Sequence, residues 1–150
     1  MSTTTIERFY DAFARKDGEA MAACYAPDVR FEDPAFGELR GAEAGDMWRM
    51  LTGRAQDLRV ELAEHDDTTA HWLADYTFAT TGRKVHNDVR ATFTFGADDL
   101  ITEHVDRFSF HAWSRQALGP VGLLLGWTPF LRAKVRSQAR GGLEGFRASR

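Results

Sequence analysis

The chain has 150 residues, 43% of them hydrophobic and 12% aromatic, enough for one domain whose core needs no metal or disulfide. Its single Cys24 excludes an internal disulfide framework and fits a reducing cytosol, and a net charge of −3 disfavours general nucleic-acid binding. No basic-then-apolar leader opens the chain and the longest apolar run, Val121 to Trp127, is far too short to span a bilayer, so a cytoplasmic protein is expected.

Ile6, Phe9, Tyr10 and Phe13 recur at helical spacing and predict a first helix, stopped by Asp17-Gly18. A second, short helix carries Met21, Cys24 and Tyr25 and ends near Pro27. The stretch RFEDPAFGELRG, residues 30–41, reads as a short strand opening into a loop. Pro34 biases Asp33 toward an extended backbone, and Gly37 and Gly41 mark tight turns. Asp33 is then either a turn residue on the surface or an acid aimed into a pocket. A third helix places Ala44, Met47, Trp48 and Leu51 on one face and ends at Gly53.

Downstream the period changes to two. Leu58, Val60 and Leu62 alternate with polar residues, as do Trp72, Ala74, Tyr76 and Phe78, and then Val89, Ala91, Phe93 and Phe95. These are half-buried antiparallel strands. Thr81-Gly82-Arg83 and Gly96-Ala97-Asp98-Asp99 are the turns between them. The last strand runs from about Leu100 to Phe110, with Thr102, His104, Asp106, Phe108 and Phe110 on its inward face. His86, Asp88 and Arg90 share an outward face and suit cross-strand charge pairing, for instance with Glu103 or Arg107, while Asn87 lies inward. Thr128-Pro129 then reads as the cap and first residue of a helix whose stripe is Leu131, Val135, Ala139, Leu143 and Phe146. The expected fold is α+β: a curved antiparallel sheet around the N-terminal helices, in one domain over residues 1–150, with 112–150 a C-terminal helical extension.

IERFYDAFARKDGEAMAACYAPDVRFEDP, the downstream GELRG with its helix, and the strands from 57 to 110 resemble the nuclear transport factor 2-like superfamily. That group includes ketosteroid isomerase, SnoaL-like polyketide cyclases and limonene epoxide hydrolase. The resemblance implies a cone with a deep pocket between sheet and helices, and a homodimer. In ketosteroid isomerase the acid of the Glu-Asp-Pro stretch is the general base, and its match here is Asp33. The family's oxyanion-hole tyrosine falls on Phe9, and its protonated aspartic partner on Ala91. With both donors missing, each of them a contribution of about 3–4 kcal/mol, the steroid isomerase reaction itself is not expected. The Asp–Arg–Asp set of limonene epoxide hydrolase is not expected either, because Arg90 faces outward.

His104 and Asp106, if inward, are buried polar groups that must pair with each other, with water or with a ligand. Asp33, His104 and Asp106 are therefore the candidate catalytic residues, since a carboxyl in an apolar pocket and an imidazole both exchange protons near neutral pH. Phe9, Tyr10, Tyr25, Trp48, Tyr76, Asn87, Phe108 and Trp113 are the candidate ligand-binding residues, at spacings that also suit core packing. His104-x-Asp106 offers two ligands where a tetrahedral metal site wants three or four, so no metal is expected. No phosphate-binding glycine loop is present, and no cofactor is expected.

Residues 127–150 hold six Lys/Arg against one acid, Glu144, in a chain that is negative elsewhere. Trp113, Leu118, Leu123 to Leu125, Trp127 and Phe130 add an apolar load that caps the cone, closes a dimer or touches a membrane surface. Without a clean polar face, a lid or packing role is favoured over membrane contact. The function expected is cofactor-independent proton transfer on an apolar carbonyl compound, by an isomerase, cyclase or dehydratase with Asp33 or Asp106 as base. The alternatives are a non-catalytic pocket for a small hydrophobic molecule and a dimeric scaffold without chemistry.

Overall fold

A computed structural model describes residues 2–150. In chain order the elements are α1 (Ser2–Ala14), α2 (Gly18–Ala22), β1 (Tyr25–Asp33), β2 (Gly37–Arg40), α3 (Ala42–Arg54), β3 (Arg59–His65), β4 (Thr69–Phe78), β5 (Arg83–Phe95), β6 (Ile101–Arg107), α4 (Phe110–Leu118), α5 (Pro120–Leu125) and α6 (Pro129–Ala148). The six strands form one curved, unclosed sheet in the order β2-β1-β6-β5-β4-β3. This is the expected α+β cone. Ile6, Phe9, Tyr10 and Phe13 are all buried on one side of α1, which packs into the hollow of the sheet.

Three local expectations are corrected. The second helix ends at Ala22, because Tyr25 is drawn into the sheet opposite Ile101. Pro27 lies inside β1, where it cannot donate a ladder hydrogen bond, and the register of β1 against β6 shifts between Tyr25 and Arg30. That β1–β6 pairing is parallel, whereas every other strand pair is antiparallel.

The third correction concerns β6. Between Thr94 and Phe95 the register against β6 slips, so Ile101 faces inward in place of Thr102. From His104 onward the expected alternation holds, with His104 and Asp106 buried. The strand ends at Arg107, and Phe110 opens α4, where Ser109 Oγ accepts from Ala112 N at 3.1 Å.

On the outer face His86, Asp88 and Arg90 are exposed as expected, and the partners of the first two come from β4. His86 Nδ1 meets Asp75 Oδ1 and His71 Nε2 meets Asp88 Oδ1, both at 2.7 Å. Arg90 stands opposite Arg107 in the ladder, so like charges keep those two side chains in solvent.

The chain after β6 divides in two. Thr128 caps α6 by accepting from Leu131 N at 3.3 Å, as the sequence predicts. Leu131 and Leu143 are buried under α6, and Arg140 donates to the Phe36 and Glu38 carbonyls at 3.1 and 2.8 Å. Arg147 and Arg150 close on Asp46 of α3 at 2.9 and 2.5 Å. Helix α6 is thereby fixed over the open end of the cone. The expected lid or packing role fails for the other part: Leu123, Leu124, Leu125, Trp127 and Phe130 are all exposed. Among the described residues no helix is long and apolar enough to cross a membrane.

Candidate active site

The deep end of the cone is filled rather than open. Phe9 is wholly buried with its ring against Tyr10, Tyr25, Trp48, Phe93 and His104, at centroid separations of 5.2–6.3 Å. Phe31 and Phe93 close on the same imidazole from other sides. A cavity of about 370 Å³ remains nearer the open end, bounded by α3, the inward face of β4–β6, α4 and α6. Its wall is largely apolar and rich in aromatic rings (Phe13, Phe36, Trp48, Trp72, Phe108, Trp113), and its polar groups include Asp33, Asp106, Tyr76 and Asn87. Arg54 is the one cation on that wall among the described residues.

Of the candidate catalytic residues, Asp33 and Asp106 line this cavity, and His104 does not. His104 is completely buried behind Asp106. Trp48, Tyr76, Asn87, Phe108 and Trp113 reach the cavity, whereas Phe9, Tyr10 and Tyr25 belong to the packed aromatic plug. The sequence could not separate these sets, because an inward aromatic reads the same whether it lines a space or fills it. Trp72, an inward aromatic open to the same two readings, lines the cavity and holds Asp106.

Asp33 answers both readings of its position at once. Its Oδ1 accepts from Ala35 N at 2.9 Å and from Phe36 N at 2.6 Å, the turn expected of an acid before proline. Both bonds fall on Oδ1, and the carboxyl lines the cavity. Burial pushes its pKa up to about 7, the Asp106 charge adds to the rise, and the two backbone amides and Arg136 oppose it.

Asp106 terminates a buried chain of hydrogen bonds. Trp48 Nε1 donates to Tyr25 Oη at 2.7 Å, and Tyr25 Oη lies 2.8 Å from His104 Nδ1. His104 Nε2 in turn lies 2.9 Å from Asp106 Oδ1, which also accepts from Trp72 Nε1 at 3.3 Å. The Asp106 carboxylate can only accept, so the ring proton lies on Nε2 and Nδ1 accepts from the Tyr25 hydroxyl. That fixes His104 with its proton on Nε2, aimed at Asp106. Burial holds the Tyr25 hydroxyl well above the usual phenol pKa, which keeps that proton in place. His104 is thus a positioning residue: it orients Asp106 and touches nothing in the cavity.

Tyr76 supplies what Phe9 cannot. Trp113 Nε1 donates to Tyr76 Oη at 2.8 Å, so the tyrosine oxygen is held while its own proton has no acceptor among the described residues. Burial and the nearby Asp33 charge raise its pKa, so it remains a neutral donor. Asn87, two residue pairs along the β4–β5 ladder and so on the same face, adds amide protons to the same wall.

A second hollow, of about 500 Å³ and more open, lies at the β4–β5 hairpin. Its acids are already engaged, Asp57 by Thr77 and Asp75 by His86. Among the described residues no group of three or more His, Cys, Asp or Glu is placed to hold a metal ion.

The sequence pattern of the SnoaL-like domain matches residues 6–104, well over half of the chain. The chain belongs to the SnoaL-like domain family. Solved structures agree on the fold. An LEH-like epoxide hydrolase of Mycobacterium tuberculosis is 21% identical, with a TM-score of 0.64 over 83% of this chain and 95% of that one. A protein of ketosteroid isomerase-like fold from Catenulispora acidiphila, bound to trimethylamine, is 15% identical, with a TM-score of 0.66 over 83% and 97%. The epoxide hydrolase/cyclase-like enzyme SalBIII, which acts in pyran ring formation in the polyether salinomycin, is 13% identical, with a TM-score of 0.60 over 71% and 89%. At these identities the likeness establishes the fold. No curated protein matches the sequence. In this chain the SnoaL-like domain has its cone plugged at the deep end, with the two carboxyls nearer the mouth.

Proposed function

We propose that this SnoaL-like domain is a cofactor-independent acid–base enzyme that moves a proton beside the carbonyl of a small apolar compound. The observation that carries this reading is Asp33, a carboxyl on the wall of an apolar cavity with its pKa raised to about 7. A base of that strength is matched to a neutral medium, where it is ionised often enough to accept a proton and acidic enough to return it.

The substrate carbonyl oxygen would sit against the Tyr76 hydroxyl and the Asn87 amide. Asp33 takes a proton from the carbon beside the carbonyl, and the electron pair of that C–H bond moves into a C=C bond while the C=O pair moves to oxygen. The enolate oxygen is then stabilised by the Tyr76 O–H, which Trp113 holds in place. Return of the proton from Asp33 to another carbon completes an isomerisation. Attack of the enolate carbon on a second carbonyl of the same molecule, with the Asp33 proton passing to the new alkoxide, gives a cyclisation, and departure of a β-hydroxyl as water with that proton gives a dehydration. Asp106, held by His104 and Trp72, keeps a second carboxylate in the site whose charge sustains the raised pKa of Asp33.

A volume of about 370 Å³ with an aromatic lining also suits a non-catalytic binder of a hydrophobic ligand. Deuterium uptake from D2O into a panel of enolisable cyclic and aryl ketones distinguishes the two. The expected result is exchange above the buffer rate that rises with pH around a midpoint near 7 and falls by about 10²–10⁴ in Asp33→Asn. Ketones that bind without exchanging would leave a binder, and exchange that persists in Asp33→Asn would remove Asp33 as the base.

A further inference from the structure

Helix α5 is mounted with its apolar side outward. A Cβ on Gly122 would lie 1.9 Å from the Ser114 carbonyl oxygen, and one on Gly126 would lie 2.2 Å from Ser114 Oγ. Only glycine permits that approach, so the glycine side of α5 is the side pressed onto α4. Leu124 is 68% exposed, Trp127 71% and Phe130 72%, and Val121, Leu123 and Leu125 are exposed around them. The other tryptophans, Trp48, Trp72 and Trp113, are all buried. A contiguous apolar knuckle of this kind on a rigid mount marks an interaction surface.

Its electrostatic surroundings identify the partner. From Arg107 to Leu143 the sequence has no acid, while Arg115, Arg132 and Lys134 lie within that stretch of a chain whose net charge is −3. Lys134 stands one helical turn beyond Phe130 on the same side of α6. Arg132 places its guanidinium 5.4 Å over the Phe110 ring beside the knuckle. Two copies meeting through this face would set these cations against their own counterparts. An anionic lipid surface meets both features together, accepting the apolar side chains at the acyl boundary and the cations among its headgroups.

We propose that the α5–α6 knuckle docks the protein onto bilayers containing anionic phospholipid. Helices α4 and α6 flank the knuckle and also wall the cavity through Trp113, Leu118, Val135 and Ala139. Docking therefore brings the cavity close to apolar compounds dissolved in the membrane. The docking itself does not depend on the reaction proposed above.

Cosedimentation with phosphatidylcholine vesicles, with and without phosphatidylserine, tests it. The chain is expected to pellet with the phosphatidylserine-containing vesicles and to stay in the supernatant with phosphatidylcholine alone. Trp127, the exposed tryptophan, should shift its emission to the blue on binding. Trp127→Ala with Phe130→Ala should weaken binding about tenfold or more, and Arg115→Glu with Lys134→Glu about twenty-five-fold or more. All four positions are on the surface, so matching thermal melts certify the variants. No pelleting with either vesicle, or pelleting that survives both double variants, overturns the proposal. So does a dimer in sedimentation velocity that Leu124→Asp converts to monomer, since a second copy would then be what covers this face.

Discussion

Trp113 on α4 holds the hydroxyl of Tyr76 on β4, with its indole Nε1 donating to Oη at 2.8 Å. The bond leaves the tyrosine proton for the cavity and fixes its direction. Tyr76→Phe should therefore reduce ketone exchange by about 10²–10³ while costing only about 1 kcal/mol of stability, the loss of one acceptor for Trp113. Trp113→Phe keeps the hydroxyl but frees its rotation and should lose less, about tenfold. Exchange rates and urea melts on the two variants check both statements, and equal losses would show that the hydroxyl is not the donor.

The Trp48–Tyr25–His104–Asp106 chain starts at an indole that only donates and ends at a carboxylate that only accepts, so its bonds run toward Asp106. His104 should appear as its Nε2–H tautomer in long-range 1H–15N spectra. An Nδ1–H form would contradict the chain. His104→Phe leaves the Tyr25 hydroxyl without its acceptor and Asp106 without one donor, and should cost about 2–4 kcal/mol in urea unfolding.

Asp33 also couples stability to pH. Its pKa is about 7 when folded, against about 3.9 in an unfolded chain. Between those values the native state binds more protons than the unfolded state, so this group's contribution is full below about pH 4 and is lost as pH rises through about 7. The stability of the wild type relative to Asp33→Asn should fall by about 2–4 kcal/mol across that window and then level off. Urea melts of the pair at a series of pH values measure it. A difference that stays flat, or that grows with pH, would contradict the assignment.

Much of this fold is legible in the sequence because burial imposes a period. Ile6, Phe9, Tyr10 and Phe13 mark α1, and the alternation from Trp72 to Phe78 and from Val89 to Phe95 marks β4 and β5 with their inward faces. The register slip between Thr94 and Phe95 leaves no such trace, since skipping one residue changes no composition, and it exchanged Thr102 for Ile101 on the inner face. The parallel pairing of β1 with β6 is equally silent, being a contact between distant segments. In the site, the Asp33 turn follows from the proline after it, whereas the Tyr76–Trp113 pair spans 37 positions and exists only because α4 folds back over the sheet. Phe9 illustrates the remaining limit: its inward direction is readable, but whether the space before it is empty depends on Tyr25, Trp48, Phe93 and His104 closing around it.

The most direct test is a 13C NMR titration of the Asp33 side-chain carboxyl, assigned by its absence in Asp33→Asn. The expected midpoint is near 7, the value burial beside Asp106 gives it. A midpoint near 4, where an ordinary aspartate titrates, would mean that the carboxyl is solvated and that the cavity has no base poised for proton transfer.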